Sequence, residues 1–219
     1  MSTTFFNQHK SIQNNPIQYN QVSLQKTLTS HSSDILFPSE PVEEIKLFLD
    51  MDGVLTDFTG ACEMLGDNMM SWYSSDRELF WKKIASAGIE FWSDMSWMPG
   101  GRELHGFLKS SGFCPTILSA LPGPERKKAL TNARKGKIKW LRKELGPSYA
   151  ETAILCYRPE KALQSGAARV LIDDNSENIY EWEEAGGIGI LHKNTSRTIR
   201  CFGKILVEQN PDMNFPEKA

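Results

Sequence analysis

Two acids, Asp50 and Asp52, stand two residues apart at the end of the apolar run Leu47-Phe48-Leu49, and Gly53 follows at once. A run of this kind, with Ile45 just before it, reads as a buried strand. Side chains at i and i+2 of an extended segment share one side, so two carboxylates would converge at the mouth of a sheet. Gly53 lets the backbone turn sharply there and leaves room for a ligand. Like charges this close repel, which calls for a cation or a raised pKa. Oxygen-only donors at a loop favour a hard cation such as magnesium. The plain alternative is a strand that ends in a solvated acidic turn. An EF-hand calcium loop does not fit, because Val54 and Leu55 stand where that loop needs a ligand and a glycine.

The elements that would position these acids follow from the rest of the chain. Residues 58–98 are helical in pattern and rich in rings, among them Phe58, Trp72, Tyr73, Phe80, Trp81, Phe91, Trp92 and Trp97. Ser74-Ser75-Asp76 reads as a helix start there and Gly88 as a stop. The rings form the core of a small helical insertion, or some of them line a pocket over the two acids. Aromatic faces of that kind suit nucleobases of any identity. From Pro99 onward helix and strand alternate. A helix opens at Gly100-Gly101. A second strand covers 113–118 and ends at Ser119, and a long basic helix covers 124–145. A third strand at 153–156 is followed by a short helix after Pro159. A fourth strand at 170–172 ends at Asp173-Asp174. A helix over 176–185 and a fifth strand at 188–191 close the series. The glycines between these last two fit a helix C-cap and a tight turn, not a dinucleotide loop.

Alternation of this kind predicts an α/β fold with a doubly wound, mainly parallel, Rossmann-like sheet and a small helical cap inserted after the first strand. Ligands of such sheets bind at the carboxyl ends of the strands. Asp50 and Asp52, Ser119, and Asp173 with Asp174 come from three different strands to that one edge. Singly, Ser119 is an ordinary turn residue and Asp173-Asp174-Asn175 an ordinary helix cap. Together they predict a site. The expected organisation is a flexible polar arm over 1–42, a core formed by 43–57 and 99–207, the cap over 58–98, and a tail over 208–219.

Composition sets wider bounds. The chain has 219 residues, 40% hydrophobic and 24% charged, which is ordinary for a globular protein. A net charge of −2 gives no electrostatic case for duplex nucleic acid, while small anionic substrates stay open. Cys62, Cys114, Cys156 and Cys201 form no C-x-x-C pair, which points to free thiols rather than zinc. With no membrane-length apolar run and no signal-peptide pattern, the expectation is a soluble cytoplasmic protein.

On these residues the chain resembles the haloacid dehalogenase-like (HAD-like) phosphatase superfamily over about 45–192. Asp50-Met51-Asp52-Gly53-Val54-Leu55-Thr56-Asp57 is similar to its first motif and Ile117-Leu118-Ser119 to its second. Lys161 is similar to its third motif and Leu171-Ile172-Asp173-Asp174 to its fourth. A narrower resemblance is to the 5'(3')-deoxyribonucleotidases, through Phe91-Trp92, Met98-Pro99-Gly100-Gly101, Lys137-Ile138-Lys139-Trp140 and Leu145-Gly146-Pro147. The departures are Ala120, where those enzymes have serine after the motif threonine, and the passage from Cys156 to Pro159.

The resemblance implies Asp50 as a nucleophile that forms an aspartyl-phosphate, and Asp52 as the acid and base that serves it. It implies Mg2+ bound by Asp50, the main-chain carbonyl of Asp52 and Asp173. Ser119 and Lys161 would hold phosphoryl oxygens, with Asp174 and Asn178 in supporting positions. Phe58, Trp92, Ala120, Lys137 and Arg158 are the implied substrate contacts. The implied substrate is a small phosphorylated molecule, a nucleoside monophosphate first. A sugar phosphate, a 3'-phosphate at a nucleic-acid end, or a non-catalytic binding role are the alternatives. Enzymes of this kind often pair, which leaves a homodimer open.

Overall fold

A computed structural model describes residues 44–209. The arm expected over 1–42 lies outside the described residues, as does all of the expected tail beyond Gln209. The strands are β1 (Lys46–Leu49), β2 (Thr116–Leu121), β3 (Ile154–Tyr157), β4 (Arg169–Asp173) and β5 (Ile188–Leu191). They form one sheet in the order β3-β2-β1-β4-β5, with every neighbouring pair parallel. A parallel sheet needs cover on both faces, which is why its strands read as continuous apolar runs. The alternation within each strand sorts those runs. Leu47, Leu49, Ile117, Val170, Ile172 and Ile190 belong to one core, and Phe48, Leu118 and Leu171 to the other, with Trp182.

The helices are α1 (Phe58–Glu63), α2 (Met69–Ser75), α3 (Arg77–Ser86), α4 (Glu90–Ser93), α5 (Gly101–Ser110), α6 (Lys127–Glu144), α7 (Pro147–Thr152), α8 (Ser176–Glu184) and α9 (Thr195–Gln209). A 3-10 helix covers Arg158–Gln164. Helix α8 packs on β4 and β5, and α5 packs on α9. Among the described residues no helix is long and apolar enough to cross a membrane.

Residues 58–98 are helical as expected, and Asp76 caps α3 by accepting from the Leu79 amide at 2.9 Å. Their buried rings, Phe80, Phe91 and Trp92, fall in the same hydrophobic core as Leu49 and Ile172. The segment is therefore packed into the body of the protein.

Three elements differ from expectation. Strand β2 begins after Pro115 and continues through Ser119 to Leu121, because Ser119, Ala120 and Leu121 pair with Leu155, Cys156 and Tyr157. That extension depends on a partner strand, which periodicity along one strand does not reveal. Helix α7 was not expected. It starts at Pro147, and proline at a first helical position is favourable. Helix α9 was not expected either, although Ile199, Phe202 and Leu206 recur at helical spacing and are buried.

Helix α6 buries Ala129, Ala133, Gly136, Lys137, Trp140 and Leu141 on one face. Its other basic residues, such as Lys128, Arg134, Lys135, Lys139, Arg142 and Lys143, are exposed, as a solvated face should be. Helix α4 crosses α6 at Gly136, where a Cβ would lie 2.7 Å from the Ile89 carbonyl oxygen and collide with Trp92. Gly136→Ala is therefore expected to cost about 2–3 kcal/mol, because the obstacle is backbone. Gly106→Ala, in the open interior of α5 with nothing within 4 Å, is expected to gain about 0.5–1 kcal/mol. Urea unfolding of the two variants checks both signs.

Candidate active site

The order of the sheet makes the crevice. The chain runs outward from β1 through β2 to β3, then returns to the far side of β1 for β4 and β5. Connections leaving the two halves diverge at the carboxyl ends of the central strands, the usual place for a ligand.

At the end of β1 the Asp50 amide still donates to the Ile172 carbonyl at 2.9 Å, so its side chain is held at the sheet edge. The chain then folds back tightly. The amides of Leu55 and Thr56 both donate to the Met51 carbonyl at 2.8 Å, and the Thr56 hydroxyl donates to Asp52 Oδ1 at 3.0 Å. Gly53 has φ +82, and a Cβ there would collide with the carboxylate of Asp174. Glycine is needed both for the turn and for this close approach.

From β4, Asp173 is fully buried. It accepts from Lys161 Nζ at 2.7 Å, from the Asn175 amide at 2.9 Å, and from Asn178 Nδ2 at 3.0 Å on both oxygens. Asp174 is exposed to the cavity beside Gly53. Asp50, Asp173 and Asp174 each bring an oxygen within 4.8 Å of the others. The expected magnesium ligands Asp50 and Asp173 thus stand together with Asp174, the expected support. Asp173 also holds Lys161 and Asn178, and Asp174 is the one turned to solvent.

Lys161 is buried between the acids, its Nζ 2.9 Å from Asp50 Oδ1 and 2.7 Å from Asp173 Oδ2. Burial favours its neutral form, but the charges of Asp50 and Asp173 outweigh burial and hold the ammonium above the usual lysine range. Asp50 is pushed up to about 8, by burial first, against the Lys161 charge and with help from Asp173 and Asp52. Asp174 is pushed up to about 6, by burial and then by the charge of Asp173. The contact of Lys161 with Asp50 is an ion pair without hydrogen-bond geometry. Asp50 Oδ1 is buried and has no hydrogen-bond partner.

A second buried lysine stands opposite. Lys137 of α6 is fully buried and donates to Asp52 Oδ2 at 2.6 Å, to Ser119 Oγ at 2.8 Å and to the Ala120 carbonyl at 2.8 Å. Its three protons are all used, so the expected substrate contact at Lys137 is corrected to a support for Asp52. Ser119 is likewise fully buried beneath the surface, and Ala120 and Leu121 are the β2 residues that reach the cavity.

The cavity over these groups measures about 490 Å³. Asp50, Asp52, Lys161 and Asp174 form its polar end. Phe58 and Trp92 line it, and so do Tyr73 and Trp81, which composition alone did not distinguish from other rings of the segment. Trp92 is 1% exposed and its Nε1 has no acceptor. Arg158 also lines the cavity, held by Glu181 at 3.0 and 3.1 Å and by Asn178 at 3.3 Å. Of the expected site residues, Asp50, Asp52, Lys161, Asp174, Asn178, Phe58, Trp92, Ala120 and Arg158 meet at this cavity, while Asp173, Ser119 and Lys137 lie behind it. Arg77 and Arg126, unforeseen from the sequence, complete it.

No family model matches the chain, and no curated protein matches it. Among solved structures, a dehalogenase is similar at 14% identity and a TM-score of 0.40, over 67% of this chain and 83% of that one. A hydrolase from Streptococcus pneumoniae TIGR4 is similar at 12% identity and a TM-score of 0.41, over 74% of this chain and 98% of that one.

Lys161 compensates two buried carboxylates, and removing one partner of such a set leaves uncompensated charge. Lys161→Met should lower stability by about 3–5 kcal/mol. Urea unfolding in a chelating buffer measures it, and a loss under about 1 kcal/mol would contradict this account of Lys161.

Proposed function

We propose that the protein is a magnesium-dependent phosphomonoesterase that hydrolyses nucleoside monophosphates through an aspartyl-phosphate on Asp50. The observation that carries this is the buried Asp50 carboxylate at the cavity, which has two further carboxylates close by and the Lys161 ammonium 2.9 Å from its Oδ1. Like charges so close are costly unless a cation completes the set. Three carboxylates crowd within 4.8 Å, and their formal charge exceeds what Lys161 offsets. An all-oxygen donor set of this kind fits Mg2+. Asp50, Asp173 and the Asp52 carbonyl, with Asp174 beside them, would hold the ion, which when bound supplies charge stabilisation for phosphoryl oxygens.

The residues divide the work. A carboxylate oxygen of Asp50 attacks phosphorus, and the bond from phosphorus to the leaving oxygen breaks. Asp52 gives its proton to that oxygen. Asp52 then takes a proton from water, whose oxygen attacks phosphorus, and inorganic phosphate leaves with Asp50 restored. Thr56 and Lys137 fix the direction of the Asp52 carboxylate throughout. Lys161 offsets the charge that gathers on the phosphoryl group. The rings of Phe58, Tyr73 and Trp81 give a base a surface on which to stack. A cytoplasmic setting suits the four free thiols.

Phosphate release from an aryl phosphate, with and without Mg2+, tests the reaction. Turnover should need the ion and fall by at least about a thousandfold in Asp50→Asn. A panel of mononucleotides and sugar phosphates tests the substrate, and equal kcat/KM across both would remove the nucleotide assignment. Mg2+ at a hundred times its dissociation constant should also stabilise the fold by about 2.7 kcal/mol. Asp174→Asn should weaken that effect more than Asn178→Ala, which leaves all three acids in place.

A further inference from the structure

A second cavity adjoins the one over Asp50. Trp81 and Arg126 line the first and also line the second, which measures about 440 Å³. Lys82, Lys127 and Lys128 stand on the walls of that second cavity. The acids there are Glu78 and Glu125, and Glu125 is already paired with Arg126. Lys82, Lys127 and Lys128 have no ion pair with a described carboxylate. Nearer the floor, Arg77 lies over the Tyr73 ring at 4.3 Å, again with no described carboxylate as partner. Arg126 lies over the Trp81 ring at 5.3 Å. The second cavity therefore has four cations, Lys82, Arg126, Lys127 and Lys128, against two carboxylates, and Arg77 adds a fifth cation on the first.

Their position is also costly for the free protein. Arg126, Lys127 and Lys128 occupy the N-cap and first turn of α6, which contains no acid. The helix dipole disfavours positive charge there, by about 0.3–1 kcal/mol each. An anion in the adjoining cavity would relieve that repulsion.

A nucleoside monophosphate does not use this second cavity. Its only charged group meets Asp50 and Lys161, and its sugar and base are neutral. Cations alternating with ring faces match the repeating phosphate and base of a single strand. We infer that the preferred substrate is the phosphorylated end of a single-stranded oligonucleotide, whose terminal phosphate meets Asp50 while the next nucleotides pass Trp81 and Arg126 to Lys127 and Lys128. This rests on the phosphomonoesterase assignment above. The reaction is the same: the terminal ester bond breaks at phosphorus, water supplies the oxygen, and the oligonucleotide leaves with a free hydroxyl.

The test compares thymidine trinucleotides bearing a 5'- or a 3'-phosphate with the matching mononucleotides and an aryl phosphate. For one of the two ends, the trinucleotide should exceed its mononucleotide in kcat/KM by about tenfold or more, the effect of one stacked base. In the double variant Lys127→Gln/Lys128→Gln, the ratio of trinucleotide to aryl phosphate kcat/KM should fall by a similar factor, and the trinucleotide KM should lose much of its salt dependence. Aryl phosphate turnover with no trinucleotide advantage at either end would overturn this inference and leave the phosphatase assignment standing. If no phosphate ester is turned over, that assignment fails, and fluorescence anisotropy of a labelled, phosphorylated trinucleotide decides the inference alone. Binding that weakens in the double variant upholds it, and absent or unchanged binding overturns it.

Discussion

A buried ammonium between two buried carboxylates governs the centre of this protein. Lys161 lies within 3 Å of both Asp50 and Asp173, and all three are buried. Ions taken out of water are stable only with near-complete compensation, so each of these groups constrains the others. Asp173 is further pinned by Asn178 and the Asn175 amide, which ties the start of α8 to the end of β4. The 3-10 helix that carries Lys161 must therefore sit across the carboxyl edge of the sheet. Asp50 is the member left incomplete, since one of its oxygens has an ion-pair neighbour but no hydrogen bond.

A second lysine repeats the device for the other acid. Lys137 comes from α6, on the opposite side of the crevice, and holds Asp52, Ser119 and the Ala120 carbonyl together. Helix α6 can place it there because Gly136, the residue before it, allows α4 to approach to backbone contact. The same close approach seats Trp92 in the cavity wall, 5.3 Å from the Lys137 ammonium. Packing between two helices thus positions an acid, a ring and a buried cation at once. The two carboxylates of the first loop end in different surroundings. Asp50 is buried against Lys161, while the Asp52 side chain keeps 24% of its surface and hydrogen bonds to Thr56 and Lys137.

Much of this was legible in the residues. The apolar run into Asp50-Met51-Asp52-Gly53 located the central strand and its turn, because a buried parallel strand has to be apolar on both faces. The alternation of helix and strand implied the parallel sheet. Helices α7 and α9 carried signals too, a proline at a first helical position and apolar residues at helical spacing. The strand end at Ser119 was misplaced because the last pairings of β2 depend on β3, and no local pattern encodes a partner. That Asp173 is buried while Asp174 meets the cavity was not legible, for a related reason. Adjacent strand residues point to opposite sides, and which side faces the cavity is set by Lys161 and Gly53 arriving from elsewhere.

By itself the sequence determined the sheet, the helical segment after β1, and the edge to which Asp50, Asp52 and Asp173 are delivered. Those follow from hydrophobic periodicity and chain order, which are local and additive along the chain. Only the tertiary structure decided that Lys137 is fully buried rather than one more solvated lysine of a basic helix. It also singled out the rings of Trp81 and Tyr73 as cavity lining and set Arg126 on the wall of two cavities. Burial and alignment of a long side chain depend on what packs against it from distant elements. A charged residue looks the same in sequence whether it meets water, a carboxylate or a ligand.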